Sequence, residues 1–301
     1  LFALVAAPAP AGAQPDHPVA VLPAAGTDSA IVYSLVPDGN KINVEETGRR
    51  TLVADQLAPS AFTDLKILPT GENLVADFGD RGVATTGPAG ELRHALATEG
   101  DRPGVQSASV VGFTSRGEAQ QYLFGDDNRQ QVAIFDRRAR TTIWTKQLVS
   151  PPVPAKISQT IALPGHRLAV SMNWPSQQAG GVDIIDMSGE DSTSIALRFA
   201  SKTHSGQPDD LVVEPALTEV RDLFGLDDST LLATTSQTLL LLSIDEQKVL
   251  DRVTLSDHAQ LAGEFISARK LPSGHIAAAT VEPGLWTRPH ENHRVYWFDS
   301  S

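Results

Sequence analysis

Apolar residues along this chain fall in short runs, many of them alternating with polar residues at every second position. The stretch from Ala61 to Ala97 shows the pattern best: AFTDLKILPTG, ENLVADFGDRG, VATTGPAGE and LRHALA. The first three pieces end in a Gly, Pro or Asp turn, and the fourth is one more short run. Four strands in about forty residues predict one antiparallel meander. No segment carries a sustained apolar stripe of helical period, so helix should be scarce. The one candidate, Asp257 to Phe265, is short.

The meander recurs. A Leu-Pro-x-Gly turn appears at Leu68–Gly71 and Leu271–Gly274, and shortened at Leu163-Pro164-Gly165. Ser115-Arg116-Gly117, Asp227-Asp228-Ser229 and Leu22-Pro23 with Gly26 hold equivalent places. With Gly26, Gly71, Gly117, Gly165, Asp228 and Gly274 as one register, the intervals are 45, 46, 48, 63 and 46 residues. A period of roughly 40–50 residues with four strands per unit is the mark of a β-propeller. The expected fold is therefore all-β, with six blades of about four antiparallel strands. The units run from Pro18 to Leu57, Ala61 to Ala97, Val105 to Leu148, Ile157 to Ala200, Leu217 to Leu255 and Glu264 to Phe298. The last ends at its third strand. Completion by His17 to Pro23, a three-stranded blade, truncation and a seventh blade all stay open. The 63-residue interval contains a polar loop, Ala200 to Asp210, and reads as an insertion within one domain, 18–301.

The segment LKILPTGENLVADFGDRGVATTGPAGEL resembles blades of bacterial NHL, quinoprotein-like and arylsulfotransferase-like propellers. ISARKLPSGHIAAAT followed by NHRVYWFD repeats the pattern, and AIFDRRARTTIWTKQL is similar to a quinoprotein-type blade ending in Trp, here Trp144. The resemblance covers Pro18 to Asp299 as architecture. Arylsulfotransferase-like relatives imply a histidine in the central channel, and His204, His258, His290 and His293 fall on the right face, though in no matching motif.

Composition narrows the function classes. Lys plus Arg number 24 against 36 Asp plus Glu, a formal charge of −12. Such a surface opposes nucleic-acid backbones and purely electrostatic docking on anionic lipid. With no cysteine, disulfides, thiolate nucleophiles and Cys-ligated zinc are excluded. At the N-terminus, LFALVAA leads through PAPAGA to Gln14, with Ala11-Gly12-Ala13 as a small-x-small cleavage pattern. Residues 1–17 thus read as a signal-peptide remnant and flexible arm, and the protein as secreted or periplasmic. No run reaches the ~18 apolar residues of a membrane span.

Candidate chemistry lies on the face shared by the loops that join second to third strands and one blade to the next. Four loops there carry Asp80 and Arg81; Asp126, Asp127 and Arg129; Asn173 and Trp174; and Trp286, Arg288, His290 and His293. Trp174 and Trp286 offer flat apolar platforms, and the arginines forked donors for carboxylate, sulfate or phosphate. The plain alternative is that the tryptophans cover their own loops and the arginines pair with nearby aspartates. Asp126-Asp127-Asn128 resembles part of a calcium loop but lacks the Gly and Glu at set spacing. His290 and His293 could reach zinc or copper only with a third ligand, such as His258 or His204. The sequence calls for no metal and no cofactor. There is no nucleophile elbow and no phosphate-cradling loop before a helix. The leading reading is a non-catalytic binding or scaffold propeller that takes a small ligand or a protein. The alternative is a propeller enzyme, a hydrolase, lactonase or arylsulfotransferase-like activity, working from the central funnel.

Overall fold

The computed structural model describes residues 19–23, 29–38, 41–51, 62–67, 72–77, 83–87, 89–95, 105–113, 119–126, 130–136, 138–139, 141–148, 155–174, 179–187, 194–200, 210–212, 219–257, 263–270, 274–281 and 293–298. Their strands fall into six sheets that coincide with the six repeat units. The first sheet holds β1 (Val19–Pro23), β2 (Ser29–Asp38) and β3 (Lys41–Thr51). The second holds β4 (Phe62–Ile67), β5 (Asn73–Asp77), β6 (Val83–Thr86) and β7 (Leu92–Ala95). The third holds β8 (Val105–Phe113), β9 (Ala119–Asp126), β10 (Gln131–Asp136) and β11 (Thr141–Gln147). The fourth holds β12 (Lys156–Leu163), β13 (Arg167–Trp174), β14 (Ala179–Asp186), β15 (Ser194–Ala200) and β16 (Asp210–Val212). The fifth holds β17 (Asp222–Gly225), β18 (Thr230–Thr234), β19 (Thr238–Ser243) and β20 (Lys248–Thr254). The sixth holds β21 (Glu264–Lys270), β22 (Ile276–Val281) and β23 (His293–Phe298).

Each sheet is an antiparallel meander, except that β16 joins β15 in parallel in the fourth, and the sheets stand in sequence order around an axis. The first strands touch in turn: β4 lies against β8, β8 against β12, β12 against β17 and β17 against β21. They form the inner wall, as the radial packing of a β-propeller requires. β23 lies against β3, so the last sheet neighbours the first. β1 pairs with β2 in the first sheet, from Val19↔Ser34 to Pro23↔Ala30, and does not complete the sixth. Among the described residues the sixth sheet has three strands. Among the described residues helical structure is the 3-10 turn Leu255–Asp257, and Phe265 sits in β21; residues 258–262 of the helix candidate lie outside the described residues.

The repeated turn joins first to second strands, and its geometry explains its glycine. Gly165 and Gly274 have φ of +73° and +92°, a region that residues with a Cβ rarely adopt. In the fifth sheet Asp227 replaces that device. Its Oδ1 accepts the Ser229 backbone N–H at 2.9 Å, a bond that holds its carboxyl below the usual range.

The core lies between sheets. Leu163, Ala169, Val182 and Ile184 of the fourth sheet pack on Leu223, Leu231, Ala233, Leu240 and Leu242 of the fifth. The apolar run Thr238–Ser243 suits a strand covered on both sides, and five of its six residues are buried. The third and fourth sheets approach so closely that a Cβ on Gly125 would lie 2.7 Å from Ile157 Cγ2.

Candidate functional site

The inner wall carries a second repeat that the turn register did not bring out. A register shift recurs near the start of four first strands, between Phe62 and Asp64, Val105 and Ser107, Ile157 and Gln159, and Phe265 and Ser267. A bulge inserts a residue and re-aims the side chains beyond it. The residue after each bulge is polar: Asp64, Ser107, Gln159 and Ser267. In the fifth sheet Asp222 takes the corresponding place as the first residue of β17.

Two of the described side chains at this level, Gln159 and Asp222, join Arg269 of β21 in a chain across the fourth, fifth and sixth sheets. Asp222, 4% exposed, is its hub. Its Oδ1 accepts Gln159 Nε2 at 3.0 Å and the Leu223 backbone N–H at 3.0 Å. Arg269 reaches it from β21 with both terminal nitrogens: Nη1 meets Oδ2, and Nη2 lies 3.3 Å from Oδ1. The guanidinium also donates to the Ala268 carbonyl and rests 5.4 Å from the centre of the Phe224 ring. Nearby, Arg221 Nη1 lies 2.9 Å from Glu264 Oε2 and donates to the Phe265 carbonyl at 3.2 Å. These charged groups therefore bind the inner strands to one another. Both Asp222 oxygens are occupied and Arg269 has a carboxylate within its fork.

A second device ties the third sheet to the fourth and the fourth to the fifth. Gln130, with φ of +51°, donates Nε2 to the Ala155 carbonyl at 2.6 Å and accepts the Ala155 N–H on Oε1 at 2.8 Å. Asn173 does the same to Val220, with Nδ2 to O at 3.1 Å and N to Oδ1 at 3.0 Å. One junction further on, the Ser236 carbonyl accepts the Phe265 N–H at 2.8 Å. A side-chain amide thus copies the paired donor and acceptor of an antiparallel ladder where no strand can pair. Asn173→Ala should leave both Val220 backbone groups, fully buried, without these partners, at about 1–3 kcal/mol for each. Chemical unfolding measures the loss, and faster hydrogen exchange at the Val220 amide localises it.

The expected site residues separate in the structure. Asn173 and Trp174 lie at the end of β13, not in a loop. Trp174 is 2% exposed, in a core cluster with Leu123, Val132, Ile157 and Met172. Asp126 ends β9, buried, with Val105 and Gln131 as its strand partners. His293 begins β23 opposite Val281. Asp80, Arg81, Asp127, Arg129, Trp286, Arg288 and His290 lie outside the described residues. Trp144 is partly buried in β11 and packs on the cluster that holds Trp174. Sequence reading missed Gln159, Asp222 and Arg269. The signal for the first two is a polar residue interrupting an apolar first strand four positions before the turn leucine, at Asp64, Gln159, Asp222 and Ser267; Arg269, two positions before Leu271, follows no such repeat.

No family model and no curated protein matches the chain. Solved structures do resemble it. A protein of unknown function from Bacteroides caccae superposes with a TM-score of 0.60 at 11% identity, over 94% of this chain and 89% of that one. The β-propeller domain of Cps50 (Swd1) from Myceliophteria thermophila gives 0.51 at 13%, over 82% and 74%. The WD40 repeats of RRP9 give 0.56 at 10%, over 87% and 69%. At such identities the likeness shows the fold, a β-propeller. Among the described residues no helix is long and apolar enough to cross a membrane.

Proposed function

We propose that this is an exported, non-catalytic binding propeller that presents its loop face to a small anionic ligand or a protein partner. The observation that carries the reading is the self-directed charge of the described inner wall, in the fourth to sixth sheets. Asp222, Arg269 and Gln159 are spent on one another, and Arg221 faces Glu264. A wall built this way serves as a rigid frame, and recognition falls to the loops at its rim. Export rests on the apolar segment at 1–7 and the cleavage-like Ala11-Gly12-Ala13.

The test is calorimetric titration with inorganic sulfate, inorganic phosphate and an aromatic carboxylate, alongside turnover assays on an aryl sulfate ester and a lactone. At least one anion should bind, and Arg288→Ala should weaken it about tenfold, the loss of one charge-assisted contact. Steady turnover abolished by His293→Ala would overturn the reading in favour of a propeller enzyme. Unchanged affinity for every anion would remove Arg288 from the site.

A further inference from the structure

The turns that join first to second and third to fourth strands share the face opposite the candidate loops, because successive strands of a meander alternate in direction. Hydrogen bonds draw the two turns of one sheet together there. Ile244 N–H donates to the Ser229 carbonyl at 2.8 Å in the fifth sheet, and Met187 N–H to the His166 carbonyl at 2.9 Å in the fourth. On this face the third and fifth sheets are opposite in charge. Asp136 pairs with Thr141 and Ser243 with Lys248, so each outer hairpin closes through a turn of the same length. In the third sheet the turn reads Arg137-Arg138-Ala139-Arg140, of which Arg138 and Ala139 are described and exposed. In the fifth it reads Ile244-Asp245-Glu246-Gln247, with Asp245 and Glu246 exposed, and Asp227 and Asp228 exposed in the neighbouring turn.

Most of this charge is not spent inside the chain. Among the described residues Arg138, Asp228 and Asp245 have no charged side-chain partner, while Glu246 meets Lys248. Asp136, beside the arginines, turns its Oδ1 to the Ala139 N–H at 2.7 Å. Between Asn128 and Val149 the chain holds five basic residues and one acidic, against a net charge of −12 for the whole. Near each turn the outer strand also leaves one residue out of its ladder, Ile143 in β11 and Leu250 in β20. At 49% and 44% exposure, these are the large apolar side chains exposed among the described residues.

We infer that this face docks a second copy of the chain about a two-fold axis running along the fourth sheet. The third and fifth sheets flank the fourth, so a half-turn about that line lays the third sheet of each molecule over the fifth of the other. Arg138 of each copy then faces Asp245 of the other, the reciprocity that an isologous interface requires. The exposed apolar pair lies beside the same contacts. Residues 188–193, on the axis, lie outside the described residues; their sequence carries Glu190 and Asp191, like charges that keep the dimer weak. The loop face, on the other side of the molecule, stays free for the ligand proposed above.

Sedimentation velocity over a rising concentration series at low ionic strength should carry the wild-type protein toward twice its monomer mass. Salt at about 1 M, where the Debye length is about 3 Å, should return it to monomer. Arg138→Glu and Asp245→Arg, both at exposed turn positions, should each raise the dissociation constant about tenfold, since each reversal counts twice in the dimer. The two reversals move the net charge in opposite directions, so a loss in both is not a general charge effect. Mixed in equal amounts, the two variants should associate as the wild type does, because a mixed pair sets opposite charges at both contacts. A wild-type protein that stays monomeric throughout the series would overturn the inference. So would a dimer indifferent to both reversals, or a mixture that associates no more tightly than either variant alone.

Discussion

Replacing Asp222 with alanine should lower the free energy of unfolding by roughly 3–5 kcal/mol, the range for breaking a buried ion pair by deleting one partner. The loss is large because the carboxylate serves four donors. Without it the Arg269 guanidinium, 15% exposed at the side chain, stays in the wall with no counter-charge. Gln159 Nε2 and the Leu223 N–H lose the acceptor they share. The remaining Phe224 ring and Ala268 carbonyl do not replace a full negative charge. Asp222→Leu combined with Arg269→Met should be far less damaging, because removing both charges from an interior relieves the desolvation that each suffers. Urea unfolding of the two single variants and the double variant gives the coupling directly. A loss below about 1 kcal/mol for Asp222→Ala would show that solvent screens the pair as it does at a surface.

The blade architecture was legible because it is written locally. A turn that needs a left-handed glycine recurs near a fixed spacing, and Gly165 and Gly274 occupy that conformation. The alternating runs between such turns leave little choice but meanders, and the sheets follow the repeat units from the first to the sixth. The joints between one unit and the next were not legible, since those contacts link residues far apart in the chain. Gln159 meets Asp222 across 63 positions, Arg269 across 47, and Asn173 meets Val220 across 47. Nothing near Asn173 in sequence says that its amide will stand in for a missing strand. Loop position, the guide to the site in the sequence, also placed strand ends too early. Asn173 and Trp174 precede Pro175 and a polar run, which reads as loop, yet β13 extends through both residues. Their pairing with Gly180 and Ala179 keeps the ladder going, a partner choice that periodicity alone does not reveal. The parallel strand β16 was hidden for a similar reason: three residues after a Gly/Pro/Ser-rich loop carry no periodicity to read.

Trp174→Ala should cost about 3–5 kcal/mol, the range for emptying a large aromatic site in a packed core. An exposed recognition platform would lose ligand affinity and keep its stability; a core tryptophan does the reverse. The burial of Trp174 assigns it to the second case. It stands where the third and fourth sheets meet, among Leu123, Val132, Ile134, Leu148, Ile157 and Met172, drawn from both. Each sheet contributes part of the lining, so the cavity left by alanine cannot close without moving one sheet against the other. That movement is opposed by Gly125, whose missing side chain lets the sheets approach at one separation, and by the Gln130 clamp on Ala155. Trp174→Phe keeps most of the volume and should recover most of the loss. Unfolding by urea for the two variants, set beside anion titration of the same proteins, separates the roles. A stable Trp174→Ala protein with weakened anion binding would move this ring back to the ligand face. A destabilised one with unchanged affinity leaves recognition to the loops and makes the ring part of the frame that holds them.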